Sequence, residues 1–408
     1  MQDGNSKKKV ATIVLVSALG YFVDIYDLVL FGIVRVASLK ALGLTDAEVT
    51  STGIMLLNMQ MGGMLVGGIL WGILGDKKGR VSILFGSIIL YSVMNVINGF
   101  VTDIPQYAII RFLAGIGLAG ELGAGITLVS ETMSKEKRGY GNMIVAGVGV
   151  LGAVVAALVG DLTDWRNAYF IGGGMGFLIL LLRVGVYESG MYTSIKHTNI
   201  PKGAFLKLFT NKKMFFKFLN CILLGLPLWF AVGVLVTFSP EFGKAFGFTT
   251  PVKAGLSIMF AYIGISAGDF LSGWISQILK SRKKVIHIFV SGVTVMLFVF
   301  LFFNKFGTTG MYVYCGLIGF ACGYWVIMLS NASEQFGTNM RATVTTSVPN
   351  FIRGSVILST LSFQFLNPIT GIVYSALIVG LTTIIIAFIA TSRLEETFGK
   401  DLGYVEII

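Results

Sequence analysis

The sequence predicts an all-α membrane protein: twelve transmembrane helices arranged as two pseudosymmetric six-helix bundles. Three observations carry that expectation. Only 12% of the 408 residues are charged and 55% are hydrophobic, with a mean hydropathy of +0.82; soluble domains carry about 25% charged residues. Twelve apolar runs each reach the about 20 residues that a bilayer core asks of a helix. Lysine and arginine gather in alternate gaps between those runs, as they do in loops held on the cytoplasmic side.

The runs fall at 10–36, 50–74, 81–101, 106–132, 139–160 and 165–186, then at 214–240, 252–278, 284–303, 309–332, 341–364 and 368–391. The first follows Lys7, Lys8 and Lys9, as a signal peptide's apolar core would. It continues for roughly 26 residues without a small-residue cleavage site, so it is expected to span. Residues 187–213 are the longest polar stretch. They divide the chain into an N-terminal bundle (1–186), a cytoplasmic linker (187–213) and a C-terminal bundle with a short cytoplasmic tail (214–408).

An even number of spans puts both termini on one side. With that side in the cytoplasm, 22 of the 31 Lys and Arg fall inside, five outside, and Arg35, Arg111, Arg183 and Arg353 within spans. That asymmetry sets the expected orientation in the cell membrane. It also accounts for the net charge of +11 without a nucleic-acid partner. Cys221, Cys315 and Cys322 lie in apolar runs and share no ligand spacing with His197 or His287, so no disulfide framework, metal or cofactor is expected. The 52 glycines suit close helix packing in lipid.

The two halves echo each other. Glu131 precedes Arg138 by seven residues, Glu334 precedes Arg341 by seven, and the two pairs are offset by 203. Two related six-helix halves suit alternating access about a central site.

Gly72-Ile-Leu-Gly75-Asp76-Lys77-Lys78-Gly79-Arg80 resembles the signature loop between helices two and three of the major facilitator superfamily. Arg111 to Glu131 is similar to that family's fourth helix. Ser333 to Gly354 is similar to the loop and eleventh helix of its sugar-porter and metabolite:proton symporter branches, and Glu188-Ser-Gly-Met-Tyr to the end of their helix six. The resemblance covers nearly the whole chain. It implies rocker-switch transport by a monomer that takes a small-molecule substrate, and no enzyme activity. Two departures stand out. Gln277 occupies the acidic place in the second copy of the signature loop, so a weaker charge relay is expected there. The fifth run lacks the Gly-Pro and Gly-Gly elements of the drug:proton antiporters.

Charge at mid-bilayer is costly and marks substrate or proton paths. Asp24 and Asp27 are three apart on one face of the first run, with Asp24 near mid-depth. Glu121 falls near mid-depth in the fourth run, with Arg111 about as far outward as Asp27. The resemblance implies that helices one, four, seven and ten line the cavity. It also aligns Tyr26-Asp27 with a Tyr-Asp of sugar and phosphate:proton symporters whose aspartate titrates against an arginine of helix four. It therefore implies proton coupling at Asp27, with Arg111 as partner and Asp24 and Glu121 as further candidates. When such a pair separates in a dry pocket the carboxyl takes a proton, and the packing of the bundles can follow the change of charge. A static buried ion pair is the competing account for Asp27 and Arg111; hydrogen-bonded packing groups are the competing account for Asp24 and Glu121.

Asp269 and Arg353 sit at similar depths in runs eight and eleven and are expected to pair, as a strut or at the substrate. Arg35 and Arg183 are expected to snorkel to water from the ends of their runs. Asn58, Gln60, Trp229, Tyr324, Trp325 and Asn331 are cavity candidates by position. Asp76, Arg80, Glu131, Arg138, Glu334 and Arg341 resemble the family's cytoplasmic charge networks, which implies a gating role.

The expected function is proton-coupled symport of a small polar or anionic metabolite, such as a carboxylate, a phosphate or a sugar-like molecule. Intramembrane arginine favours the two anions because guanidinium pairs bidentately with both. Uniport or proton-coupled export is the alternative within transport. A transporter-like sensor is the alternative from another class, opposed by a longest loop of about 27 residues. No catalytic Ser/His/Asp set or His-Glu-x-x-His helix supports a hydrolase.

Overall fold

The computed structural model describes residues 2–134, 136–184, 189–195, 202–302, 305 and 307–406. Lys135, Glu188 and Lys196 therefore lie outside the described residues, and so does the start of the Glu188-Ser-Gly-Met-Tyr motif. Among the described residues all regular structure is helical, and eleven helices are long and apolar enough to cross a membrane. The first half contains α1 (Val10–Ala41), α2 (Ser51–Lys78), α3 (Arg80–Asn98), α4 (Ile104–Thr132), α5 (Arg138–Leu162) and α6 (Trp165–Leu182). The second contains α7 (Lys212–Val236), α8 (Ala254–Leu279), α9 (Arg282–Phe302), α10 (Gly307–Gln335) and the 53-residue stretch Arg341–Arg393.

That last stretch breaks at Gly371, whose φ of 76° is readily adopted by glycine. It makes two crossings, α11 (341–370) and α12 (372–393), so twelve spans are present as the hydropathy predicts. The sequence places this break at 365–367. The helix instead runs through Pro368 and turns three residues later, where glycine permits the left-handed conformation.

Local chemistry starts several of these helices. Thr45 and Glu48 form a capping box ahead of α2. The Asp103 carboxylate accepts the Gln106 N–H at 2.8 Å at the head of α4, and the Asp164 carboxylate accepts the Arg166 N–H at 3.0 Å at the head of α6. Glycine sets the closest crossings. Gly63 and Gly67 bring α2 onto the α4 backbone with no space for a Cβ, and Gly264 and Gly268 do the same between α8 and α10. These pairs sit 201 residues apart, a structural echo of the offset read from the Glu–Arg spacing.

Among the described residues four helices are interrupted inside the membrane, α5 between Gly149 and Gly152 being one of them. α4 breaks between Leu118 and Glu121, and α10 between Ala321 and Trp325. α7 breaks around Gly225 and continues through a π-helical turn at Ala231–Val236. Interruptions of this kind expose helix ends and free backbone groups at depth, where they can hold charge.

Candidate functional site

The end of the molecule carrying Lys77, Lys78, Lys137, Lys280 and Lys283 is called here the basic end. In the opposite half of the bundle a cleft of about 700 Å³, mouth included, opens between Phe31 and Arg35 of α1, Trp229 and Thr237 near α7, and Tyr262 of α8. Trp229, Val232 and Tyr262 also border a smaller pocket of about 270 Å³ that reaches Tyr21, Ile25 and Trp325. The two spaces share Trp229, Val232 and Tyr262 as a common wall.

Arg353 of α11 stands beside Trp229 and Trp325, which border these spaces, and is 1% exposed. Its guanidinium carbon is 5.9 Å from the Trp229 ring centre and 5.7 Å from that of Trp325. Its counter-ion is Asp24, across the boundary between the halves, with Nη2 3.7 Å from Oδ2. That distance suffices for attraction but exceeds a hydrogen bond. Among the described residues, neither Asp24 oxygen, nor Nε and Nη2 of Arg353, nor Nε1 of Trp229 has a hydrogen-bond partner. The Trp325 indole is held, donating to the Tyr21 hydroxyl at 3.1 Å.

The expected Asp269–Arg353 pair does not form. Asp269 accepts the Val326 N–H at 3.0 Å, at the start of the half-helix Trp325–Gln335. The break in α10 offers an anion-binding helix end closer than any guanidinium, and Asp269 takes it. This leaves Arg353 to Asp24.

The expected Asp27–Arg111 pair is not closed either. Arg111 donates to the side-chain oxygen of Gln60 and lies 5.1 Å from the Phe31 ring centre. Gln60 reaches in from α2 and donates in turn to the Leu28 carbonyl at 3.5 Å. Asp27 turns toward α3 and α6, where Gly172 leaves room for its carboxylate. Both its oxygens lack hydrogen-bond partners among the described residues.

Of the two arginines expected to reach for water, Arg183 stays inside, while Arg35 is half-buried at the mouth of the cleft. Arg183 is 1% exposed and forks onto Glu121, with Gly20 of α1 leaving the space for the pair. Glu121 begins the second segment of α4, so the helix dipole favours its charge there. Arg35 lines the mouth of the cleft, within electrostatic reach of Glu241 beyond α7 in the opposite half.

Other positional candidates divide. Trp229 and Trp325 border the pockets. Tyr26 donates to the Ala168 carbonyl at 2.8 Å, and Tyr324 to the Leu224 carbonyl at 3.2 Å, so both hydroxyls serve packing. Asn331 accepts from Gln335 at 3.1 Å. Asn58 is half-buried and does not border the cleft.

At the basic end the charges are bound tightly. Glu131 accepts from Arg80 at 2.9 Å, from Arg341 of the other half at 3.0 Å, and from Ser189. Glu334 accepts from Arg138 of the first half at 2.9 Å, from Arg282 at 3.1 Å and from Thr397 at 2.7 Å. Asp76 crosses the boundary as well, accepting the backbone N–H groups of Ala342 and Thr343 at 3.1 and 2.8 Å at the head of α11. Its counterpart Gln277 lies over Gly139 at the head of α5 without a carboxylate to offer. The chain after α12 closes over this network. The carbonyls of Lys400, Leu402 and Tyr404 accept from Arg138, Arg341 and Thr338 at 2.9, 2.7 and 2.9 Å.

Glu396, beyond the last span, caps the head of α9. Partial burial pushes its carboxyl up, but the Ser281 hydroxyl and the N–H groups of Arg282, Phe398 and Lys283 outweigh that and hold it below the usual carboxylate range.

Residues 17–356 match the family model of the Major Facilitator Superfamily. The chain belongs to that superfamily. It is similar to the niacin transporter NiaP of Acinetobacter baylyi, 26% identical over 367 residues and 81% of each chain. It is also similar to the 3-(3-hydroxy-phenyl)propionate transporter of Escherichia coli, 26% identical over 333 residues, covering 76% of this chain and 79% of that one. Its fold is that of the proton:xylose symporter XylE bound to 6-bromo-6-deoxy-D-glucose, with a TM-score of 0.77, 16% identity and 98% of each chain covered. This major facilitator is therefore a multi-pass membrane transporter of small molecules and no enzyme.

Several groups in this transporter escaped the sequence reading. Tyr21 and Tyr262 border the inner pocket, Arg282 completes the Glu334 cluster, and the terminal tail joins the network. Arg282 was findable, since it stands 202 residues after Arg80, close to the offset of the other pairs. The tail carries no comparable signal, because it meets Arg138, Arg341 and Thr338 through backbone carbonyls.

Proposed function

We propose that this transporter carries a small carboxylate, an aromatic acid in the first instance, together with protons, by rocker-switch alternating access. The observation that carries the reading is Arg353: a buried guanidinium between two indoles, held by one acid at a distance too long for a hydrogen bond. A proton on Asp24 neutralises that counter-ion and releases Arg353. A substrate carboxylate can then take the guanidinium bidentately, with its ring against Trp229, Trp325 and Tyr262. Proton and substrate favour each other's binding by the same factor, because each acts on one shared ion pair. The named substrates of the two relatives, niacin and a hydroxyphenylpropionate, are aromatic acids, which supports this class.

Asp27 is the second proton site in this reading, close enough to Asp24 for each charge to feel the other. The basic end faces the cytoplasm, by the positive-inside rule, and the protein works as a monomer in the cell membrane. Its tight closure there, with the cleft in the opposite half, corresponds to an outward-facing arrangement. The networks of Glu131 and Glu334 break when the bundles rock, and Arg35 and Glu241 approach as the mouth closes.

The test is uptake by proteoliposomes containing the purified protein, with labelled nicotinate, 3-(3-hydroxyphenyl)propionate, phosphate or glucose. An acid exterior should drive accumulation of an aromatic acid. Asp24→Asn should abolish accumulation and retain exchange. Equilibration without accumulation in the wild type would refute symport, and preference for glucose or phosphate would refute the substrate class.

A further inference from the structure

Inside the first half, away from the central cleft, α3 presents a row of polar side chains: Ser87, Tyr91, Ser92, Asn95 and Asn98. All are at most 1% exposed. Among the described residues, the Ser87, Tyr91 and Ser92 hydroxyls and both amide atoms of Asn98 have no hydrogen-bond partner. Ser87, Tyr91, Asn95 and Asn98 recur at helical spacing and so share one face; from Ser87 to Asn95 the row rises about 12 Å. An unpaired buried polar group costs about 1–3 kcal/mol. Native bundles keep such groups where ordered water completes their hydrogen bonds.

The row joins the acids of the first half. Asn95 faces Asp27. Tyr91 lies within electrostatic reach of Asp27 and Asp24 on one side and of the Glu121–Arg183 pair on the other. Arg183 also donates to the Leu84 carbonyl, which ties that pair to α3. Three glycines of the neighbouring helices lie directly against the polar groups of the route. A Cβ at Gly172 would overlap the Asp27 carboxylate, one at Gly176 the Ser92 hydroxyl, and one at Gly20 the Glu121–Arg183 pair.

We infer that this seam is the proton's passage through the first half, a hydrated row of hydroxyls and amides connecting Asp27 to Glu121. The inference rests on the proton-coupled reading above and adds a route that bypasses the substrate. In the transfer the Asp27 carboxyl loses a proton to the nearest water. Each hydroxyl or water accepts one proton and passes on another, and the Glu121 carboxylate receives the last. No group on the row changes its net charge. The charged groups facing the two ends are Arg111 and Asp24 at Asp27, and Arg183 and Asp24 at Glu121; Tyr169 of α6 also faces Asp27. Arg183 remains protonated and holds Glu121 in place between transfers.

Two measurements on the full-length purified protein test this. Hydroxyl-radical footprinting labels a buried side chain only where water is bound beside it, so Tyr91 should be oxidised in the wild type despite its burial. Asn95→Leu, which fills the seam with a hydrocarbon, should lower that labelling at least fivefold, and Asn95→Ser should restore it. In proteoliposomes with labelled nicotinate, Asn95→Leu should lower pH-gradient-driven accumulation about tenfold. Nicotinate counterflow, which moves no net proton, should fall no more than twofold. Unlabelled Tyr91 in the wild type would overturn the inference, as would full gradient-driven accumulation in Asn95→Leu. A parallel fall of accumulation and counterflow would also overturn it, because that is the signature of a packing defect. If the wild type accumulates no acid while Tyr91 is labelled, the symport reading fails and the hydrated seam stands.

Discussion

The charges at the basic end and the four charges nearest the central cleft and Asp27 obey opposite rules. Glu131, Glu334 and Asp76 each accept several hydrogen bonds, and every one of them reaches the other half. Asp24, Asp27, Arg111 and Arg353 are equally buried, yet each keeps donor or acceptor atoms without partners. The energetic meaning differs accordingly. A fully bonded network makes one arrangement of the bundles deep and specific. Loosely held charges are poor struts but good binding groups, because a ligand or a proton can satisfy what the protein does not.

The largest test of that contrast is Arg353→Gln. It should lower nicotinate uptake at least a hundredfold while the protein still purifies as a monodisperse species, since little is bonded to the guanidinium. Normal uptake would remove Arg353 from the site. Next is Glu131→Gln. Leaving Arg80 and Arg341 without their shared anion should destabilise the closed basic end by about 3–5 kcal/mol, the usual result of breaking a buried pair. Spin labels on α4 and α10 at that end should then report a longer distance, and an unchanged distance would refute the lock.

A smaller effect should come from Gln277→Asp. The new carboxylate would meet the head of α5 as Asp76 meets that of α11, adding roughly 0.5–1 kcal/mol to the closed state. The same spin labels should shift toward the shorter distance. The smallest effect concerns pH at Glu396. A carboxyl held low by its donors contributes stability above the ordinary glutamate range, near pH ~4.3, and loses it as pH falls through its own lower value. Hydrogen exchange in the first turn of α9 should therefore quicken, beyond the intrinsic rate, in acid below that range. Glu396→Gln should remove this pH dependence.

The architecture was legible in the chain because hydrophobic length and basic loops are local properties. Spans such as 106–132 and 139–160 recur as Ile104–Thr132 and Arg138–Leu162. The Glu–Arg spacing likewise pointed at groups that meet across the halves. Pairing at depth was not legible, for a reason visible in α10. Helical spacing gives the depth of Asp269 but not the break after Ala321 that supplies it with a backbone N–H. With Asp269 held there, Arg353 takes Asp24. Gln60 shows the same thing on α2, since a neutral amide has no charge signature and still captures Arg111.

Composition and periodicity thus settle how many times the chain crosses the bilayer, because transfer into hydrocarbon adds up residue by residue along the chain. Which acid answers which base is settled by helix breaks, glycine crossings and competing neutral donors. A buried charge responds to whatever lies within a few ångströms, and those neighbours come from helices far apart in the chain.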